Sequence, residues 1–184
     1  MKSILIAGGN SGIGRHVAAE LVSQGHRVVI LGRDQRKGEQ TLASFGDAAE
    51  HASFHAVDLS THDGVRHAAE RVLKDSDSFD TLVHTTGVMT SEDLRTTDGL
   101  HQVFAVTYLS RYHLTQLLMP ALRRGHHGRV LMMTAHIPPT IKAASRDSQI
   151  SDHSTSLRRG NQSNSPITIT PHTSPASSQR SEQE

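Results

Sequence analysis

The stretch Ala7-Gly8-Gly9-Asn10-Ser11-Gly12-Ile13-Gly14 constrains the fold more than any other part of the chain. A short apolar run, Ser3 to Ala7, precedes it, and a segment of helical periodicity follows. That context turns a weak glycine pattern into a specific one. The run reads as a first strand. Gly8 lets the chain leave the strand in a tight turn, and Gly14 lets the next helix pack closely on the sheet. Gly12 leaves room for a pyrophosphate against the backbone, where free N–H groups and the positive end of the helix dipole would meet it. The alternative for such a turn, taken by itself, is simply a turn.

Strand and helix patterns then alternate. Apolar stripes at helical spacing predict a first helix over 11–24, with Ile13, Val17, Ala18, Leu21 and Val22 inward and Gly25 just past its end. A β-branched run over 27–31 is the second strand. A polar helix weakened by Gly38 follows over 35–44, then a third strand over 53–57. The next helix covers 63–74, with Val65, Ala68, Ala69, Val72 and Leu73 inward. A fourth strand is predicted over 81–84, a long helix over 98–124 containing Pro120, and a fifth strand over 129–133. This order implies an α/β fold of the Rossmann type, a doubly wound parallel sheet with right-handed crossovers. The expected strand order is 3-2-1-4-5, with a ligand cleft between strands one and four.

Composition marks where this pattern stops. Phe45, Phe54, Phe79, Phe104, Tyr108 and Tyr112 are the only Phe and Tyr residues, and all precede residue 113. From Ile141 onward there are 44 residues, eleven of them serine. Such a segment buries too little apolar surface to offset an ordering entropy of about 1–2 kcal/mol per residue. The expected organisation is therefore a domain over 1–139 and a serine-rich disordered tail over 140–184. The chain has no cysteine, which excludes disulfides and thiolate chemistry. Its net charge of +1 gives no reason to expect a nucleic-acid partner. No apolar run approaches the ~18 residues of a membrane span. The expectation is a cytoplasmic protein without a membrane partner.

The glycine spacing is G-x-x-x-G-x-G, which resembles the short-chain dehydrogenase/reductase family. Ala7 stands where that family usually has Thr. Further matches follow in order. Val57-Asp58-Leu59 resembles the adenine-contacting strand end. Leu82 to Met89 resembles the segment L-V-N-N-A-G-V-M. Thr97 to Pro120 resembles the long helix of the retinol-dehydrogenase-like members, and Gly128 to Ala135 the fifth strand. The resemblance covers about residues 1–139. It implies a nicotinamide dinucleotide held by Gly8, Asn10, Ser11, Gly12, Ile13 and Gly14 on the turn. Arg33, Asp58, Leu59, Thr86 and Gly87 complete the implied set. Gly32 stands where NAD-preferring members carry Asp, and Arg33 offers a planar cation to a 2′-phosphate, so NADP(H) is favoured over NAD(H). The alternative is that Arg33 is a solvated cation neutralised by Asp34. Arg15 either adds to a phosphate site or is a surface residue.

The family's chemistry is hydride transfer with a Ser, a Tyr and a Lys, plus an Asn on the long helix. This chain departs from each. Thr107 stands at the Asn position and Ala135 at the Ser position, one residue past Thr134. No Tyr follows residue 112. No catalytic residue is therefore assigned. Losing a general acid/base costs about 10²–10⁴ in rate. His84 either titrates near neutral pH beside the nicotinamide or takes the structural role of the family's Asn. The other histidines show no ligand pattern for a metal. The implied function is an oxidoreductase scaffold that binds NADP(H) without turnover. Two alternatives stand beside it. One is a non-catalytic regulatory subunit that forms a homo- or hetero-dimer through helix 98–124 and its Phe104, Tyr108, Leu114, Leu117 and Leu118. The other is a truncated or frameshifted product. The resemblance also implies that strand five becomes an exposed edge.

Overall fold

In the computed structural model, which describes residues 1–90 and 92–134, five strands form one parallel sheet. They are β1 (Ser3–Ala7), β2 (Arg27–Gly32), β3 (Ala52–Ala56), β4 (Thr81–His84) and β5 (Arg129–Met132). The order is β3-β2-β1-β4-β5, as the alternation predicts. β1 is the pivot. Ala7 pairs with Leu31 on one side and with His84 on the other. The strand order reverses there, so the loops leaving β1 and β4 diverge and open a crevice at their carboxyl ends.

Alternate side chains of each strand serve two cores. Leu5, Ala7, Val29 and Leu31 face α3 (His62–Asp75) and α5 (Ser110–Arg124), packing on Val65, Ala68, Val72, Leu114 and Leu118. Ile4, Ile6, Val28 and Ile30 face α1 (Gly12–Ser23) and its Ala18 and Val22. A sheet buried on both faces needs apolar residues at consecutive positions, and β1 and β2 supply them. α2 (Gln35–Ala43) packs beside β3.

Several expectations are corrected in detail. Gly38 does not weaken α2 idly, because the Phe54 ring lies where its Cβ would be. Ile13 is 60% exposed, since the first turn of α1 overhangs the crevice and not the sheet. Leu73 lies at the margin of its apolar stripe and is also exposed. β3 ends one residue before Val57, and β5 one residue before Met133.

The long helix does not begin at Asp98. Residues 96–99 make a turn, with Gly99 at φ +75° and its amide donating to the Thr96 carbonyl. The Asp98 carboxylate accepts from the His62 amide at the start of α3. Helix begins with α4 (Gln102–Phe104), widens into a π-helical turn over Ala105–Leu109, and continues as α5 through Pro120. Leu114 and Leu118, named with the dimer-forming helix, lie buried against α3. Tyr108 and Tyr112 are the exposed aromatic residues of that helix.

β5 is the edge of the described sheet, with Leu131 and Met132 about half exposed. No described helix is long and apolar enough to cross a membrane. The serine-rich stretch and residue 135, where the family's Ser is expected, lie outside the described residues.

Candidate functional site

The crevice at the end of β1 is a cleft of about 300 Å³. Its floor is the glycine turn. Gly8 has φ +91°, and a Cβ there would meet Thr85 Oγ1 at 2.8 Å and the Thr86 amide at 2.9 Å. Only glycine satisfies both conditions. Gly14 is pressed against the Gly8 carbonyl and Thr85 Oγ1, which brings α1 down onto the turn. Above Gly12 there is open space, with no atom within 4 Å of a Cβ placed there.

α1 presents an open N-terminus to this cleft. Asp34 caps α2 and Thr61 caps α3 through their side chains. Ser11, the N-cap of α1, makes no such bond, and the first turn carries no acidic residue. The first N–H groups of a helix need partners. Here they face the cleft uncapped, with the positive end of the dipole behind them. An anion fits that cradle.

The second wall comes from β2 and α2. Gly32 lies under Asn10, whose side chain occupies the space a Cβ would need. Asn10 Nδ2 donates to the Asp34 carbonyl, fastening the turn to the end of β2. Arg33 and Lys37 line the rim. Neither forms an ion pair among the described residues. The Asp34 carboxylate accepts from the Lys37 amide at 3.0 Å, capping α2, and makes no ion pair with Arg33. Lys37 was not singled out in the sequence. The signal was its place four residues after Arg33, in the first turn of a helix.

Of the residues predicted from sequence, Gly8, Asn10, Ser11, Gly12, Ile13, Gly14, Arg33, Leu59, Thr86 and Gly87 converge on the cleft. Asp58 does not line it. Its carboxylate turns back to the Ser60 amide, at 2.9 Å. Arg15 is exposed and also stands outside it.

The far wall is formed where β4 and β5 end. Thr86, Gly87, Val88 and Met133 line it, with Val106 from the π-helical turn. Thr107 lies in that turn and holds the wall in place: its Oγ1 accepts from the Val88 amide at 3.1 Å and donates to the Val88 carbonyl at 3.4 Å. His84 is behind the wall, fully buried, with Nε2 paired to Thr115 Oγ1 at 3.0 Å. Burial, reinforced by the Arg111 charge, pulls its pKa from 6.5 down to about 4. Of the two readings of His84, titration near neutral pH is therefore the one corrected, because the imidazolium would have to form in a buried site. Burial also lowers the pKa of Arg111.

Glycine turn, uncapped helix and strand order together specify a dinucleotide scaffold, and its sequence pattern decides which. Residues 2–138 match the short chain dehydrogenase family. This chain belongs to that family. Mouse retinol dehydrogenase 12 is 33% identical over 145 residues, spanning 77% of this chain and 46% of its own length. Oxidoreductase calI of Penicillium decumbens is 37% identical over 127 residues, spanning 66% of this chain and 36% of its own length. Among solved structures, the Pseudomonas aeruginosa RhlG/NADP active-site complex superposes with a TM-score of 0.57 at 28% identity. The match covers 71% of this chain and 52% of that one. The chain thus spans less than half the length of the curated relatives it matches. Thr107, expected at the helix position of the family's Asn, has its hydroxyl committed to Val88. Tyr108 and Tyr112 are exposed and do not line the cleft.

Proposed function

We propose that this chain binds NADP(H) in the β1–β4 cleft, in preference to NAD(H), and does not reduce carbonyls by itself. The observation that carries the reading is the rim at the end of β2. Two cations, Arg33 and Lys37, stand there without ion-pair partners among the described residues, against one neighbouring carboxylate, Asp34, which caps α2. A 2′-phosphate suits that rim, since Arg offers a planar fork and Lys a second positive charge. An Asp at position 32, which would favour an unmodified ribose, would collide with Asn10. RhlG, similar to this chain at 28% identity, is described in complex with NADP.

The pyrophosphate would lie over Gly12 against the uncapped start of α1. Leu59 would pack on the adenine, and Asp58 would contribute through its backbone neighbourhood. Thr86 and Gly87 would border the nicotinamide ribose. When bound, the dinucleotide supplies hydride transfer. Among the described residues, the proton donors considered from the sequence are committed elsewhere: His84 is buried and neutral, and Thr107 is engaged with Val88; no Tyr follows residue 112. Binding without turnover is the reading that follows.

Titration calorimetry with NADPH and NADH tests it, on wild type, Arg33→Ala and Lys37→Ala. Each lost charge-assisted bond is expected to weaken NADPH about tenfold and leave NADH unchanged. Equal affinity for both nucleotides in wild type would refute the phosphate assignment. A panel of aldehydes and ketones, followed by NADPH absorbance, is expected to show no consumption above background. Turnover abolished by Gly12→Val would refute the non-catalytic part.

A further inference from the structure

The ladder between β4 and β5 ends at the bond from the Met133 amide to the His84 carbonyl, 2.9 Å long. Past that rung the chain leaving β4 runs through Thr85 to Val88, and these residues stand with Met133 in the far wall of the cleft. One side chain spans them. Arg111, on the first turn of α5, donates from Nε to the Thr86 carbonyl at 3.0 Å and from Nη2 to the same oxygen. Its Nη1 donates to the Met133 carbonyl at 2.8 Å. The residue is 9% exposed and has no carboxylate partner among the described residues. A buried cation held only by carbonyl dipoles is a costly choice of side chain for packing alone.

Three further observations give the arrangement a purpose. Thr86 and Met133, whose carbonyls it takes, both line the cleft. Gly87, between Thr86 and the rest of that wall, lies next to the guanidinium: a Cβ there would stand 3.5 Å from Nη2. β5 itself is four residues long at the edge of the described sheet, with Leu131 and Met132 about half exposed among the described residues. The planar fork of Arg can bond two carbonyls on two chains at once, and a Lys ammonium lacks that fixed geometry.

We propose that Arg111 is a positioning residue that clamps the ends of β4 and β5 into the wall against which the nicotinamide half of the dinucleotide lies. The inference rests on the NADP(H) reading of the cleft. It adds a residue that never touches the adenosine half and acts only through the backbone of Thr86 and Met133.

The test compares wild type, Arg111→Lys and Arg111→Met as full chains. Two ligands are titrated: NADPH, and adenosine 2′,5′-bisphosphate, which has the phosphate-bearing half but no nicotinamide. Amide exchange is followed at residues 85–88 and 131–134. Arg111→Met is expected to weaken NADPH about tenfold, to leave adenosine 2′,5′-bisphosphate within about twofold, and to speed exchange only at those two segments. Arg111→Lys should recover part of the NADPH affinity. Unchanged NADPH affinity in Arg111→Met overturns the proposal. Equal loss of both ligands with faster exchange through β1, β2 and β3 overturns it too, by making Arg111 a general scaffold residue. Should wild type bind neither ligand, the NADP(H) reading fails, and exchange decides the clamp: a rise confined to the two segments upholds it, and no rise overturns it.

Discussion

His84 makes the folded state of this chain sensitive to acid, and the size of the effect can be worked out. In the unfolded chain the imidazole takes up a proton as pH falls through 6.5. In the folded chain it stays neutral until about pH 4, because burial and the nearby Arg111 oppose the charge. Between these values the unfolded state binds the extra proton, so stability falls as pH falls. Above pH 7 both states are neutral at this site and the term is flat. A depression of this size, at 1.36 kcal/mol per pKa unit, amounts to about 3 kcal/mol lost by pH 4. Set against a total of about 5–15 kcal/mol for a domain, that is a large fraction. The test is urea denaturation of wild type and His84→Asn at several pH values from 7.5 to 4.5, read by circular dichroism. Carboxylates titrate in both proteins and drop out of the difference. The wild-type advantage over the variant should shrink by about 1 kcal/mol per pH unit below pH 6.5. A difference that does not change with pH, or an NMR titration placing His84 above pH 6, would refute the reasoning.

Two further perturbations follow from the packing. Leu114→Ala empties a fully buried position between α5, α3 and the sheet, and should cost about 2–5 kcal/mol, seen as a lower urea midpoint with an unchanged slope. Asp34→Ala removes the cap of α2 at a cost of about 1 kcal/mol, but it also takes a negative charge from the cleft rim; calorimetry should therefore find lower stability together with tighter NADPH binding.

The fold was legible because its signals are local and repeated. β1 and β2 are uninterrupted aliphatic runs, and the glycine turn could only follow a strand and open a helix. The strand order was the one that goes with a glycine turn of this type in a doubly wound sheet with right-handed crossovers. Ten of the eleven predicted binding residues line one cleft, since backbone geometry at the turn brings them together. Most of what escaped the sequence is decided by tertiary contacts. Gly38 reads as a helix weakener until the Phe54 ring is seen against it. Asp98 reads as the start of a helix until its carboxylate is found on α3. The π-helical turn at 105–109 has no sequence signature, and Arg111 looks like any surface arginine of an amphipathic helix. Asp58, expected at the adenine-contacting strand end, bonds the next-but-one amide and is not among the residues that line the cleft.

The cleft is built largely from missing side chains, and that inverts the usual logic of mutational mapping. Gly8, Gly14 and Gly32 each hold a neighbour at a distance that a single methyl group would violate, and Gly12 keeps its space empty. An alanine scan works by taking atoms away. Applied to the large residues around this site it would register Asn10, Arg33 and Lys37 and pass over the floor. At the glycines the same substitution adds an atom, so the informative scan here is additive, and its most damaging entries are the smallest changes in mass.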